Sequence, residues 1–169
     1  MLRILKKTWA TGIVTEKFKR PDQDELERLG IEIKQHIDKR FSGSVAIREV
    51  DAGSCNGCEL EIHALNNPFY DIERFGIHFV ASPRHADVLL VTGPVSRHMQ
   101  TALLRTYEAT PNPKWVIAAG DCAACGGEFG VSYASCGAVS NVIPVDVTIP
   151  GCPPTPLALM AGLLGLMNR

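Results

Sequence analysis

The chain has 169 residues, 46% of them hydrophobic, and a formal net charge of −1 at pH 7. A chain of this size can bury one substantial core, and its balanced charge gives no indication that nucleic acid is a partner. The N-terminus lacks the apolar core of a signal peptide, and the longest apolar run is shorter than the roughly 20 residues that span a bilayer. We therefore expect a cytoplasmic chain whose six cysteines stay reduced and serve metal or redox chemistry.

The first twenty residues form a basic segment with six cations and a single acid, Glu16. Its apolar residues recur three or four positions apart, as in a short amphipathic helix: Leu2, Leu5 and Trp9. Such a segment either docks on a membrane surface or a partner subunit, or it is a solvated arm. The sequence leaves both interpretations open.

A helical pattern begins at Pro21 and ends near Gly43. Its first turn is acidic, as the helix dipole favours, and its apolar residues follow helical spacing: Leu26, Leu29, Ile33 and Ile37. Gly30 in the middle of this pattern weakens the case for one unbroken helix. We divide the chain into a basic arm with a helix, residues 1–43, and a main domain, residues 44–169.

Five apolar segments of the main domain are predicted strands. They are residues 45–50, 76–81, 86–92, 114–119 and 143–149. Helical segments lie between or after them, at residues 59–65, 96–107 and 155–167. Apolar strands separated by helices predict an α/β fold with a mainly parallel sheet and helices on both faces.

The predicted C-terminal helix contains no charged residue between Leu157 and Met167. It is apolar around most of its circumference, so it is either buried in this domain or covered by another subunit. A domain of this size rarely encloses a helix on all sides. We therefore expect this helix to face a partner subunit.

All six cysteines lie in four short turns that contain glycine. The turns hold Cys55 with Cys58, Cys122 with Cys125, Cys136 alone and Cys152 alone. Three of the turns directly follow the first, fourth and fifth predicted strands. Because ligands of open parallel sheets lie beyond the carboxyl ends of the strands, we expect a metal centre that is assembled there by folding.

Three kinds of chemistry compete for these cysteines. The two Cys-x-x-Cys pairs resemble the halves of a structural zinc site, but far more chain separates Cys58 from Cys122 than the about 15 to 20 residues usual in such sites. A thiol–disulfide pair would leave four cysteines idle. A 4Fe–4S cluster needs four soft thiolates, and six cysteines allow one such cluster. We favour the iron–sulfur interpretation.

Glycines accompany the cysteines: Gly53, Gly57, Gly120 and Gly151. They permit close approach of the backbone to a cluster and supply N–H donors to its sulfides. No glycine-rich nucleotide motif is present, so a lone cluster can relay electrons but has no substrate to react with. The chain is therefore predicted to be one subunit of a larger electron-transfer complex.

Four segments carry a combined pattern of motifs. They are Ser54-Cys-Asn-Gly-Cys-Glu-Leu-Glu61, residues 82–93 beginning Ser-Pro-Arg, Gly120-Asp-Cys122, and residues 145–156 with Gly-Cys-Pro-Pro. Together they resemble the small subunit of membrane-bound, energy-converting nickel–iron hydrogenases and the homologous 20-kDa subunit of respiratory complex I. The complex I subunit has two adjacent cysteines at the first position. The separated Cys55 and Cys58 are similar to the hydrogenase pattern.

The resemblance implies a flavodoxin-like domain that holds one 4Fe–4S cluster at the carboxyl ends of the strands. The implied ligands are Cys55, Cys58, Cys122 and Cys152. The chain would be a non-catalytic subunit that relays electrons between the nickel–iron site of a large subunit and a ferredoxin-like subunit, during H₂ evolution or oxidation. Integral membrane subunits would complete the complex, and the chain would lie peripherally on the inner face of the cell membrane.

Two alternatives remain open. One is a complex I-like subunit of an assembly that reduces a quinone or another acceptor without nickel, and the other is a zinc-stabilised interaction module. Cys125 and Cys136 match no ligand position of the family, and we expect them to be inert core cysteines. Glu59 and Glu61 flank the first cysteine pair, where a carboxylate would either relay protons or pair with an arginine of a partner.

Overall fold

The computed structural model describes residues 2–12 and 23–168, and these are organised around one parallel sheet of five strands. The strands are β1 (Val45–Asp51), β2 (Ile77–Phe79), β3 (Val88–Thr92), β4 (Trp115–Ala119) and β5 (Val147–Ile149). Their order in the sheet is β2-β1-β3-β4-β5, and every neighbouring pair is parallel. This is the strand order of flavodoxin-like folds, so the predicted fold class is confirmed.

Helices cover both faces of the sheet in the described part of the chain. They are α2 (Gln23–Arg40), α3 (Gly57–Ala64), α4 (Arg97–Ala109), α5 (Asp121–Cys125) and α6 (Pro156–Met167), whereas the first helix, α1 (Leu2–Thr11), has no buried residue. One apolar core joins the sheet to α2, α3 and α6, and a second joins the opposite face to α4 and α5. The strands are apolar on both faces because both faces are covered.

Helix α2 is unbroken although Gly30 lies near its centre. A Cβ atom at this position would lie 2.1 Å from Cζ of Phe75. The absence of a side chain therefore lets the aromatic ring pack directly on the backbone of the helix. The glycine serves close packing here and does not end the helix.

Helix α6 is covered by the domain itself, so the prediction that it faces a partner subunit was wrong. Leu159, Leu163 and Leu166 are at most 3% exposed. Helix α2 packs along α6, and the Arg40 guanidinium donates a hydrogen bond to the carbonyl oxygen of Met167 at the end of α6. The prediction rested on the small size of the domain and did not foresee the contact with α2, which supplies the second wall around α6.

Strand β5 is shorter than the predicted strand 143–149. Pro144 has no N–H to donate to a ladder, and the segment before β5 contains the 3₁₀ turn Val139–Asn141. The side chain of Asp146 accepts a hydrogen bond from the backbone N–H of Val116 over 2.8 Å, just ahead of the first β4–β5 pair. Regular pairing with β4 then begins with Val147 opposite Ile117.

The division of the chain at residue 43 stays a prediction, although α2 packs against the same core as the sheet. The amphipathic helix predicted from Leu2, Leu5 and Trp9 is present as α1, and its residues are exposed. The basic residues Lys17, Lys19 and Arg20 fall outside the described residues. Across residues 2–12 and 23–168, no helix combines the length and apolar character required to cross a membrane.

Candidate metal centre

Four of the six cysteines line a single cavity at the carboxyl end of the sheet. Cys55 and Cys58 come from the turn after β1 and the start of α3, Cys122 from α5 after β4, and Cys152 from the turn after β5. These are the four cysteines that the resemblance implied as ligands. The structure thus brings together thiols from three distant parts of the chain, as the strand ends predicted.

The turn that presents Cys55 is held by hydrogen bonds from its own backbone. Oδ1 of Asp51 accepts from the N–H groups of Gly53 and Ser54, over 2.8 and 2.7 Å. Oγ of Ser54 then accepts from the N–H of Asn56 over 3.0 Å. Aspartate and serine commonly close turns in this way. The chain itself therefore fixes the path of the backbone around Cys55.

The turns of Cys122 and Cys152 are joined by a reciprocal pair of hydrogen bonds. The N–H of Gly151 donates to Oδ1 of Asp121 over 2.8 Å, and the N–H of Asp121 donates to the carbonyl oxygen of Gly151 over 2.9 Å. Since Asp121 precedes Cys122 and Gly151 precedes Cys152, this pair fixes the two cysteines relative to each other.

Two glycines make room for this arrangement. At Gly93, φ is +71°, and a Cβ atom would lie 2.4 Å from the backbone nitrogen of Ser54. At Gly120, φ is +88°, and a Cβ atom would lie 2.8 Å from Sγ of Cys58. Other residues rarely adopt this left-handed conformation, and here they would also collide with the cysteine turn. Backbone therefore lies directly against the sulfur atoms, as a cluster-binding cavity requires.

The thiols of this cavity influence one another electrostatically. Burial, and after it the negative charges of Glu59, Cys55, Cys122 and Cys152, raises the pKa of Cys58 to about 11. The pKa of Cys122 is raised as well, mainly by burial and then by the negative charges of Cys152 and Cys55. Four thiolates in one place repel each other unless a cationic group neutralises them, so loading with metal must expel protons.

The donor set and the surroundings fit an iron–sulfur cluster. All four donors are soft thiolates, which iron–sulfur clusters use, and glycine backbone lies beside them. Cys55 and Cys152 are exposed, while Cys58 and Cys122 are partly buried, so the site opens to the surface. In the part of the chain that the structure describes, no three Cys, His, Asp or Glu side chains are arranged to hold a single metal ion.

Cys125 and Cys136 do not line this cavity. Cys136 is buried, as predicted for an inert core cysteine. Cys125 is exposed, so that prediction was wrong for it. Its thiol donates to the carbonyl oxygen of Asp121 over 3.2 Å, one turn earlier in α5. The sequence suggested a buried residue because α5 was not recognised as a helix with an outer side.

Glu59 lies directly beside the cysteine cavity and is 8% exposed. The hydroxyl of Thr92 donates to its Oε1 atom, which ties α3 to the end of β3. Its Oε2 atom finds no hydrogen-bond partner among the described residues, and Glu59 lines a second cavity together with Arg48 and Glu49. Sequence reasoning missed Arg48 and Glu49. The available signal was two adjacent charges between the apolar residues Ile47 and Val50 of strand β1.

The profile of the family described as NADH ubiquinone oxidoreductase, 20 kDa subunit, matches residues 55–166. The chain belongs to this family. It is 46% identical over 148 residues to the probable membrane-bound hydrogenase subunit mbhJ of Pyrococcus furiosus, covering 88% of each chain. It is also 46% identical over 140 residues to formate hydrogenlyase subunit 7 of Escherichia coli, covering 81% of this chain and 55% of that one. The chain thus spans about half the length of the Escherichia coli protein.

A solved structure leads to the same group of complexes. The membrane-bound sulfane sulfur reductase, described as an archaeal respiratory membrane complex, contains a chain that superimposes with a TM-score of 0.65 at 40% identity. The match covers 74% of this chain and 69% of that chain. The predicted resemblance is therefore confirmed. The chain is a subunit of the type found in hydrogenase and complex I-like oxidoreductase complexes.

Proposed function

We propose that this chain is the electron-transfer subunit of a nickel–iron hydrogenase complex and holds one 4Fe–4S cluster on Cys55, Cys58, Cys122 and Cys152. The observation that carries the proposal is the meeting of these four thiols, from three strand ends, in one cavity. The family and the two hydrogenase relatives at 46% identity support it. The proposed partners are a nickel–iron large subunit, a ferredoxin-like iron–sulfur subunit and integral membrane subunits.

When bound, the cluster would accept and release single electrons between the nickel–iron site of the large subunit and the ferredoxin-like subunit. The work of this chain is to position and shield it. Asp51 and Asp121 hold the cysteine turns through their hydrogen bonds, and Gly120 brings backbone against Cys58. Nearby N–H groups and burial tune the potential of such a centre. Hydrogen chemistry itself would take place on the large subunit.

The first test is chemical composition. The chain, prepared without oxygen and co-expressed with its neighbouring subunits, is analysed for iron, acid-labile sulfide and zinc, and its dithionite-reduced state is examined by EPR. We expect about four irons and four sulfides per chain with the signal of a reduced cluster. Cys152→Ser should remove that signal.

The matched control is Cys125→Ser, because Cys125 is also an exposed cysteine but lies outside the cavity. We expect this variant to keep its iron. Zinc at about one atom per chain without sulfide would refute the electron-transfer proposal and would make the same thiolates a structural zinc site. Loss of iron in both variants would show that the four proposed ligands are wrongly chosen.

A second candidate function is a subunit of a complex that reduces an acceptor other than protons and contains no nickel. The similarity to the membrane-bound sulfane sulfur reductase at 40% identity favours it. Nickel analysis of the isolated complex distinguishes the two candidates, together with H₂ evolution from reduced methyl viologen. Nickel with H₂ evolution supports the hydrogenase. A nickel-free complex without H₂ evolution supports the alternative, whether the acceptor is a quinone or a sulfur compound.

We also propose that the chain lies peripherally on the inner face of the cell membrane, held there by its complex. Two similar proteins, the hydrogenase subunit of Pyrococcus furiosus and the sulfane sulfur reductase chain, are described as parts of membrane-bound assemblies, which supports this placement. In fractionated cells, the chain should sediment with membranes and leave them only when detergent dissolves the membrane subunits. Release by salt alone would contradict attachment through integral membrane subunits.

A further inference from the structure

We infer that the second cavity beside the cysteine site, between β1, α3 and the end of β2, receives an arginine side chain of a neighbouring polypeptide. This polar cavity has a volume of about 260 Å³. Its charged lining consists of Arg48, Glu49, Glu59 and His63. The inference does not rest on the proposed cluster, because none of these residues is a proposed ligand.

In residues 2–12 and 23–168, the three residues that carry an unsatisfied buried side-chain atom all line the polar cavity. These atoms are Nε of Arg48, Oε1 of Glu49 and Oε2 of Glu59. Buried polar atoms are nearly always hydrogen-bonded, because leaving them unpaired forfeits their interaction with water. Three such residues around one cavity indicate that a polar group from outside the described chain completes hydrogen bonds there.

The charges of the polar cavity favour a cation. Two carboxylates, on Glu49 and Glu59, line it against one guanidinium, on Arg48. The pKa of Glu49 is raised first by burial and then by the negative charges of Glu59 and Asp51. Arg48 and His63 lower that pKa, but by less. Because carboxylates outnumber guanidinium groups in the lining, a positively charged group would offset their mutual repulsion.

The geometry favours a guanidinium on a peptide over a free ion. A guanidinium is flat and carries several N–H donors, so one group can reach two carboxylate oxygens, here those of Glu49 and Glu59. The unpaired Nε of Arg48 needs an acceptor, and a peptide carbonyl next to the incoming cation supplies one. Phe79 and Ile62 line the same cavity and provide apolar contacts for the methylene stem and the flat face.

The entrance allows such a side chain to reach the carboxylates from outside. His63 and Asn66 line the cavity and are exposed, whereas Glu59 at the inner wall is 8% exposed. A side chain entering past His63 and Asn66 would meet Glu49 and Glu59 without displacing the core. The carboxylate of Glu59 is meanwhile fixed by Thr92, so its free oxygen is held in place before binding.

The test uses N-acetyl-L-argininamide as the probe, with the full chain in solution. N-acetyl-L-citrullinamide is the matched control ligand, because citrulline has nearly the same shape but carries no charge. We expect saturable binding of the arginine compound in NMR titrations, and binding of the citrulline compound that is about tenfold weaker or more. Equal binding of the two compounds, or binding of neither, would overturn the inference.

Two variants locate the probe. Glu49→Gln keeps the size of the side chain and removes its charge, and it should weaken binding of the arginine compound by about tenfold. Glu32→Gln makes the same chemical change on the exposed surface of α2 and should bind the probe as the unmodified chain does. Binding that is unchanged in Glu49→Gln, or weakened equally in both variants, would refute the assignment to this cavity.

A final experiment distinguishes binding of a partner's side chain in the cavity from binding of a free cationic ligand. In the assembled complex, a partner arginine already occupies the cavity, so the probe should no longer bind. Cross-linking of carboxylates to amines would not detect this contact, because the side chain of arginine does not react with such a reagent. Undiminished binding of the probe to the complex would show that the cavity serves a small cation and would overturn the partner assignment.

Discussion

The cysteine cavity and the polar cavity lie on either side of the first turn of α3, and they differ in how their polar groups are satisfied. Around the cysteines, Asp51 and Asp121 accept hydrogen bonds from the turns that carry the thiols. Around the polar cavity, Arg48, Glu49 and Glu59 each keep an atom without a partner. The first cavity is built by this chain alone, whereas the second is incomplete without another molecule.

The comparison predicts that changes to the cysteine turns cost stability, whereas changes in the polar cavity cost little or increase it. Unpaired buried charges contribute nothing favourable to the isolated chain. Hydrogen bonds that fix the cysteine turns do contribute. The free energy of unfolding of each variant, compared with that of the unmodified chain, measures the difference.

Among changes around the two cavities, the largest effect is expected for Gly93→Ala. The new Cβ atom would lie 2.4 Å from the nitrogen of Ser54, in a left-handed conformation with φ of +71°. The collision and the backbone strain should destabilise the cluster-free chain by about 3 kcal/mol. Urea unfolding followed by circular dichroism measures this loss.

The control for this variant is Gly165→Ala in α6, where a Cβ atom would meet nothing within 4 Å. In a helix, alanine is favoured over glycine, so this variant should gain about 0.5 to 1 kcal/mol. Two glycine-to-alanine changes would then shift stability in opposite directions. A loss at position 165 as large as that at position 93 would mean that the close packing at the cysteine turn is not the cause.

A smaller loss is expected for Asp121→Ala. The variant removes the acceptor of the Gly151 N–H, one of the two hydrogen bonds that join the turns of Cys122 and Cys152. We expect a loss of about 1 to 2 kcal/mol. Iron should also be released faster by a chelator, because the two cysteines are held less firmly.

Asp121→Asn is the matched control, since its side chain keeps an oxygen that can accept from Gly151. It should retain most of the stability and most of the resistance to chelation. If the asparagine variant lost iron as fast as the alanine variant, the negative charge and not the hydrogen bond would be responsible.

In the polar cavity, Glu49→Gln should stabilise the isolated chain at neutral pH. Burial and the charges of Glu59 and Asp51 raise the pKa of Glu49 above its usual value of 4.5. The folded chain therefore binds the proton more tightly than the unfolded chain, and stability contributed by this residue is lost as pH rises through the raised pKa. Glutamine carries no charge and avoids that loss.

The measurement is urea unfolding of both chains from acidic to neutral pH. The advantage of the variant should be present at neutral pH and disappear below the usual glutamate pKa, where both side chains are neutral. An advantage that did not vary with pH would mean that packing, not charge, separates the two chains. Addition of N-acetyl-L-argininamide should favour the unmodified chain, because only its carboxylate binds the cation well.

The contrast between the cysteine cavity and the polar cavity also explains which features could be predicted from the sequence. Alternating apolar strands and helices indicated the parallel sheet, and carboxyl ends of parallel strands share one edge. The meeting of Cys55, Cys122 and Cys152 therefore followed from their positions just after predicted strands. The polar cavity did not follow, because Arg48 and Glu49 on a strand could equally have pointed into solvent. Their burial depends on how α3 and the short strand β2 pack beside β1.

The wrong predictions for α6 and Cys125 also concern packing, which a local sequence pattern does not show. The cover of α6 by α2 is a contact between helices at opposite ends of the chain, and no local pattern indicates it. The exposure of Cys125 depends on the orientation of α5, a helix too short to show a period in the sequence. Hydrogen bonds between residues close in sequence could be predicted. At the start of α6, for example, the hydroxyl of Thr155 accepts from the N–H of Ala158.

The smallest effect is expected at α1, which contributes to neither cavity. Trp9 is 93% exposed, so Trp9→Ala should change the free energy of unfolding by no more than about 0.5 kcal/mol. Leu26→Ala in α2 is the contrasting variant: Leu26 is 1% exposed in the core, and its truncation should cost about 2 to 5 kcal/mol. Urea unfolding measures the free energy lost in each variant. A comparable loss at Trp9 would mean that α1 packs against the domain, and its apolar residues would then be core and not a surface for a membrane or a partner.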